Sequence, residues 1–164
     1  MATRTVEAKT AVLEAAVARA REHAGADADD VERFVRAYYA HVAPEELVGR
    51  SDVDVAGAAL AHRHLAAVRR PGESKVHVYS PNAEEHGWES PHTVVQTVVD
   101  DMPFLVDSVS MEVTRHGYGI HLAVRPILAV RRDGDGRLLS VGEGDPESLI
   151  TLEIDRQTDP ALLE

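Results

Sequence analysis

Cysteine is absent from the 164 residues. Disulfides, thiolate zinc sites and a cysteine nucleophile are thereby excluded, and the absence fits a reducing cytosol. Aromatic residues make up only 4% of the chain, so Val, Leu, Ile and Ala must fill any core. Positive charge is also scarce. Lys and Arg number 17 against 28 Asp and Glu, for a formal net charge of −11, which repels phosphates and opposes any general affinity for nucleic acid or anionic membranes. Arg63, Arg69 and Arg70 are the best candidate for a local basic patch, although a solvated helix face is the plainer reading. No apolar run approaches the roughly 18 residues of a membrane span. The first residues, MATRTVEAKTAVLEAAVARA, carry acids within a helical pattern and are not expected to be a signal peptide. A soluble, cytoplasmic protein is expected.

Apolar residues account for 44% of the chain, enough for a folded core. Their periodicity divides it in two. Residues 1–72 read as a helical lead-in of three helices: Val6 to His23, a second opened by Asp29 and Asp30, and a third from Asp52 to Arg69. The second carries Val31, Phe34, Val35, Tyr38, Tyr39 and Val42 at spacings of three and four. Ser51 and Asp54 form a capping box for the third, and Pro71-Gly72 closes it. Its apolar face takes in Val53, Val55, Ala58, Leu60, Ala61, Leu65 and Val68. A short turn from Pro44 to Leu47 separates the second and third helices.

Residues 73–164 then alternate. Lys75 to Tyr79 and Thr93 to Val99 read as strands around a polar loop, Pro81 to Pro91, that holds the single tryptophan, Trp88. The stretch DDMPFLVDSVSMEVTRHGYGIHLAVRPILAV, Asp100 to Val130, appears as the organising element. Asp101 is placed to cap a helix and Pro103 to sit in its first turn, with Met102, Leu105, Val106, Val109 and Val113 at helical spacing. Gly117 ends it. From Ile120 the period becomes two, and Ile120, Leu122, Val124, Leu128 and Val130 line one face of a long strand. Asp133-Gly134-Asp135-Gly136 marks a hairpin turn to Leu138–Val141. After a loop from Gly142 to Glu147, Ser148 to Asp155 forms one more strand. Thr158 or Asp159 then caps an apolar turn that stops almost at once, as though a helix continued in a longer protein.

Little in this pattern carries chemistry. His62 and His64 stand two apart on a helix and point about 200° apart, so they cannot chelate from one face. His86 and His92, with Glu84, Glu85 and Glu89, read as an exposed polar loop rather than a metal site. The glycine pairs Gly134/Gly136 and Gly142/Gly144 lack the remainder of a phosphate fingerprint. No nucleophile stands at a recognisable spacing from a base. No catalytic, cofactor-binding or metal residue is therefore assigned. The candidate ligand site is the strand-to-helix junction: Asp101, Met102, Pro103, Phe104, Asp107 and Ser108. Backbone N–H groups at a helix start attract an anion such as an amino-acid carboxylate, and the acids there could pair with its ammonium group.

The order of elements resembles the βαββαβ plan of an ACT domain with its last part missing, an incomplete ferredoxin-like antiparallel sheet carrying one packed helix. The fold class expected is α+β. DDMPFLVDS at Asp100 to Ser108, followed by Gly117 and the histidine-bearing strand at His121, is similar to the N-terminal region of the large bacterial NAD-dependent glutamate dehydrogenases. The YSP element at Tyr79 to Pro81 and the helical lead-in are similar too. The resemblance implies a non-catalytic regulatory or assembly module whose parent chain converts L-glutamate and NAD to 2-oxoglutarate, ammonia and NADH. NAD belongs to the parent, and no cofactor to this segment. The partners implied are the remainder of the parent chain and an amino-acid effector at the junction; an uncovered sheet edge further predicts self-association as a dimer through sheet or helix faces. Met102-Pro103 departs from the glycine that typical amino-acid-sensing ACT loops carry there.

Overall fold

The computed structural model describes residues 2–164. Helix α1 (Ala2–Glu22) meets α2 (Ala28–Tyr39) through one 3-10 turn, Gly25–Asp27. The spacing of Val31, Phe34, Val35, Tyr38 and Tyr39 puts all five on one face of α2, and all five are buried. Pro44 opens the single turn α3 (Pro44–Leu47), which buries Leu47. Ser51 caps α4 (Asp52–Leu65), its Oγ accepting the Asp54 N–H at 3.1 Å. Helix α4 ends at Leu65, short of the expected Arg69. There the backbone turns to pair with a distant hairpin: Leu138 N–H donates to the Ala67 carbonyl and Arg69 N–H to the Gly136 carbonyl, both at 2.9 Å. Val68, expected on the apolar face of the helix, is consequently 47% exposed.

Eight helices and strands follow, β1 (Lys75–Tyr79), α5 (Ala83–His86), β2 (Thr93–Asp100), α6 (Leu105–Arg115), β3 (Ile120–Val124), β4 (Ile127–Arg132), β5 (Leu138–Val141) and β6 (Asp145–Ile154), and then a 3-10 turn, Pro160–Leu162, capped by Asp159. The strands form one antiparallel sheet in the order β1-β2-β6-β4-β5, with β3 beside β6 in line with β4. The α+β class and the ACT-like plan hold. The organising element is β6, however, not the stretch from Asp100 to Val130. It is hydrogen-bonded along both edges, and Glu147 to Ile154 are buried without exception. It begins at Asp145, earlier than Ser148, because Gly144 (φ +122°) lies so close to the Val130 carbonyl that no Cβ would fit.

The long strand expected from Ile120 to Val130 is broken at Arg125-Pro126. Proline has no N–H to give a ladder; its carbonyl instead accepts the Leu149 N–H at 3.0 Å. A bulge between Ile120 and Leu122 turns the first residue away from the rest. Leu122, Val124, Leu128 and Val130 face the helical lead-in, while Ile120 packs with α6 on the other side of the sheet.

The two faces are covered unequally. On one, Val98, Leu122, Leu128 and Leu149 share a core with Ala16, Val17, Phe34, Val35, Tyr38 and Val55, so the lead-in helices and the sheet are packed together. On the other, α6 lays Leu105, Val106, Val109 and Val113 over Ile150, Leu152 and Ile154. None of the residues of α6 is itself buried. The edge of β2 that an incomplete ferredoxin-like sheet leaves open is filled by β1 from the same chain, so the outer strands are β1 on one side and β5 and β3 on the other.

Candidate functional site

The strand-to-helix junction is held from below by charge. Arg69, 1% exposed, donates from Nη1 to Glu147 at 2.7 Å and from Nη2 to Asp100 at 2.6 Å. Arg132 grips the same Glu147 with two bonds of 2.9 Å, and its Nη1 reaches the Ala66 and Gly136 carbonyls. Asp100 also accepts the Gly72 N–H. Arg69, first by hydrogen bond, holds the Asp100 carboxyl below its ordinary range. Arg69 is thus neither part of a basic patch nor on a solvated face. Two guanidinium groups and two carboxylates cancel in charge and lock the end of β2, the start of β6 and β4 to the chain after α4. Removing one partner of such a buried set strands the others.

Above this anchor the chain makes an unexpected turn. Helix α6 starts at Leu105, and its N-cap is Phe104, not Asp101. Phe104 has φ +61°, the only positive value among described residues other than glycine. A side chain in that conformation costs about 1–2 kcal/mol. No side chain caps the helix. Ser108 is engaged within the helix, its Oγ–H and N–H each donating to the Phe104 carbonyl at 2.9 Å. The Asp101 N–H donates to the Pro146 carbonyl at 3.4 Å, and Pro103 lies in the turn before the helix. Asp101, Met102, Pro103, Phe104, Asp107 and Ser108 are all at the surface, and the larger cavities of the chain are lined by other residues. Phe104 is 79% exposed and Met111, two turns on, 71% exposed. With Ser108 they stand at spacings of four and three, one outward stripe of α6.

Two histidine arrangements escaped the sequence. His62 is fully buried: its Nε2 meets the Thr97 carbonyl at 2.9 Å and its Nδ1 the Tyr38 hydroxyl at 2.9 Å. That geometry places the proton on Nε2, with Nδ1 accepting. Burial pushes its pKa down to about 4. His64 is exposed, so the pair does diverge from one helix. At the other end of the sheet His92 stacks on His121 at 4.1 Å, and His121 Nε2 lies 2.7 Å from Asp155. The Gly119 N–H, then His121, hold the Asp155 carboxyl low. Burial and then the neighbouring His121 lower the pKa of His92. No group of three His, Cys, Asp or Glu among the described residues could hold a metal.

The loop expected to be polar is partly folded inward. Asn82 caps the turn α5, and Trp88 is 4% exposed against Tyr79 and Val94. It occupies the space over Gly57, where any Cβ would strike the indole. His77 and Tyr79 accordingly share the face of β1 toward α4, Tyr79 buried and His77 still exposed, while Val76 on the other face is 61% exposed. A lone tryptophan beside an alternating strand was the one available signal, and the polarity of its neighbours masked it.

Comparison with known proteins agrees with this architecture. The family described as the glutamate dehydrogenase ACT1 domain matches residues 34–164. The chain is 41% identical over 144 residues to the NAD-specific glutamate dehydrogenase of Halomonas elongata, which covers 84% of this chain and 9% of that protein. To the NAD-specific glutamate dehydrogenase of Pseudomonas aeruginosa it is 38% identical over 130 residues, 75% of this chain and 8% of that one. The chain therefore spans less than a tenth of the length of these curated relatives. No solved structure matches it.

Proposed function

The chain belongs to the family of the glutamate dehydrogenase ACT1 domain, and from that premise we propose that it is an N-terminal, non-catalytic regulatory and assembly module of a cytoplasmic NAD-specific glutamate dehydrogenase. The parent oxidises L-glutamate to 2-oxoglutarate and ammonia with NAD, by residues outside this chain. The observation that carries the docking role is the outward stripe of α6. Phe104 at 79% and Met111 at 71% exposure present apolar surface on a helix that already spends its other face on the sheet. Phe104 is moreover held there in a costly backbone conformation, as residues at contact sites often are.

The remainder of the parent dehydrogenase, expressed separately, should bind this chain in solution. Phe104→Asp combined with Met111→Asp should weaken that binding by roughly tenfold or more and leave thermal unfolding of the isolated chain nearly unmoved. No binding by the unaltered chain, or binding indifferent to the double substitution, removes the reading. Self-association through the same stripe is the competing use, and light scattering of the chain alone distinguishes it. Amino-acid sensing at Asp101 to Ser108 draws on the uncapped first turn of α6; a flat calorimetric titration against amino acids disposes of that alternative.

A further inference from the structure

An open cleft lies on the opposite side of the sheet from α6, between the lead-in helices and β1. Its volume is about 610 Å3, within the usual range for a small-molecule site. Its floor is α4, contributing Val53, Ala56, Gly57, Leu60, Ala61 and Leu65. The opposite wall is an aromatic pile: Tyr79 lies between His77 at 4.3 Å and His86 at 5.1 Å, with Trp88 edge-on at 6.1 Å. Arg19 of α1, His23 just beyond the end of that helix, His64 of α4 and Gly87 complete the lining.

Charge distinguishes this cavity from the rest of the molecule. The protein carries a formal net charge of −11, yet no Asp or Glu lines the cavity, while Arg19, His23, His64, His77 and His86 do. Asp52 pairs with Arg19 at 2.8 Å and offsets part of its charge. An apolar chamber bordered by imidazoles and a guanidinium is complementary to an amphiphilic anion. A cationic ligand would find no counter-charge in the lining, and a wholly apolar one would leave the basic groups unused.

We propose that this cavity binds a small monocarboxylate with an apolar body, a medium-chain or aryl carboxylic acid, its tail over Leu60 and Ala61 and its carboxylate among the histidines. The inference is independent of the docking role of α6 and of the parent activity. Burial first, and then the nearby His86 and His64, lower the pKa of His77. A bound carboxylate opposes that shift, so binding takes up protons. The charged and titratable groups at the site are Arg19 on α1, His23 just beyond that helix, His64 on α4, His77 and Tyr79 on β1 and His86 on α5, with Asp52 outside the lining and paired to Arg19. Affinity therefore rises as pH falls into the range in which the His77 imidazole charges.

Trp88, the single tryptophan, lines the cavity and reports on it by fluorescence. Octanoate titrated into the whole 164-residue chain should give a saturable change at one equivalent, confirmed by calorimetry. Hexanoate should bind roughly tenfold more weakly, as expected for two methylenes less of buried tail. Octylamine should not bind, and 1-octanol should bind more weakly than octanoate. Ala61→Phe, which fills the floor, should abolish octanoate binding. His64→Glu, at an exposed position, should weaken it roughly tenfold by placing a like charge at the carboxylate. Equal affinity for octylamine or octanol, no saturation with octanoate, or unchanged affinity in folded Ala61→Phe overturns the proposal. Should Ala61→Phe fail to fold, His64→Glu decides alone, and unchanged octanoate affinity there also overturns it.

Discussion

The two faces of the sheet are built to different standards of closure. Toward the lead-in, Phe34, Val35, Tyr38 and Leu149 are each no more than 1% exposed, and polar groups within the layer are matched by partners such as His62. Toward α6 the sheet contributes fully buried Ile150 and Leu152, but the helix above them buries none of its own residues. One face stores the stability of the fold. The other uses a single helix as a thin cover and leaves that helix with apolar surface to spare. A domain can carry an unfinished surface of this kind only because the opposite layer already holds it together.

The sharpest way to break this contrast is to truncate one side chain on each face. Phe34→Ala should lower the stability of the isolated chain by about 3–5 kcal/mol through lost burial and a cavity, whereas Met111→Ala should change it by less than about 0.5 kcal/mol. Denaturant melts of the two variants measure both, and equal losses would erase the distinction between the faces.

The next effect is one of pH and belongs to the closed face. The folded pKa of His62, about 4, lies below its unfolded value near 6.5. The unfolded chain therefore binds the extra proton first as pH falls. The stability attached to a neutral His62 is complete above roughly pH 6.5 and is lost down to about pH 4, amounting to about 3 kcal/mol at most. His62→Gln should flatten that part of the stability–pH curve, as chemical melts at successive pH values would show. A slope unchanged by the substitution assigns it to other groups.

An effect smaller than those at Phe34 and His62 is expected at the open face. Phe104→Gly removes the penalty of a side chain at φ +61° and should stabilise the isolated chain by up to about 1 kcal/mol. The same substitution should weaken docking to the parent. A loss of stability would mean that the exposed ring packs on the chain itself.

Legibility followed the range of the interactions involved. The helix of Val31 to Tyr39, the Ser51 cap, strand Lys75 to Tyr79, the hairpin turn at Asp133 to Gly136 and the kinship carried by DDMPFLVDS could all be read locally. Spacing, caps and turn residues act within a few positions along the chain, so the sequence determined them unaided. Other features depended on residues far apart in sequence. The end of α4 at Leu65 answers to Gly136 and Leu138. The rank of β6 as central strand follows from neighbours on both edges. The burial of Tyr79 and Trp88, and with it the basic apolar cavity, required α4 to lie across β1. The anchoring of Asp100 by Arg69 and Gly72 needed the chain after α4 beside it. Only the tertiary structure decided these, because a hydrogen bond or a close packing contact selects its partner by position in space, which periodicity along the chain does not encode.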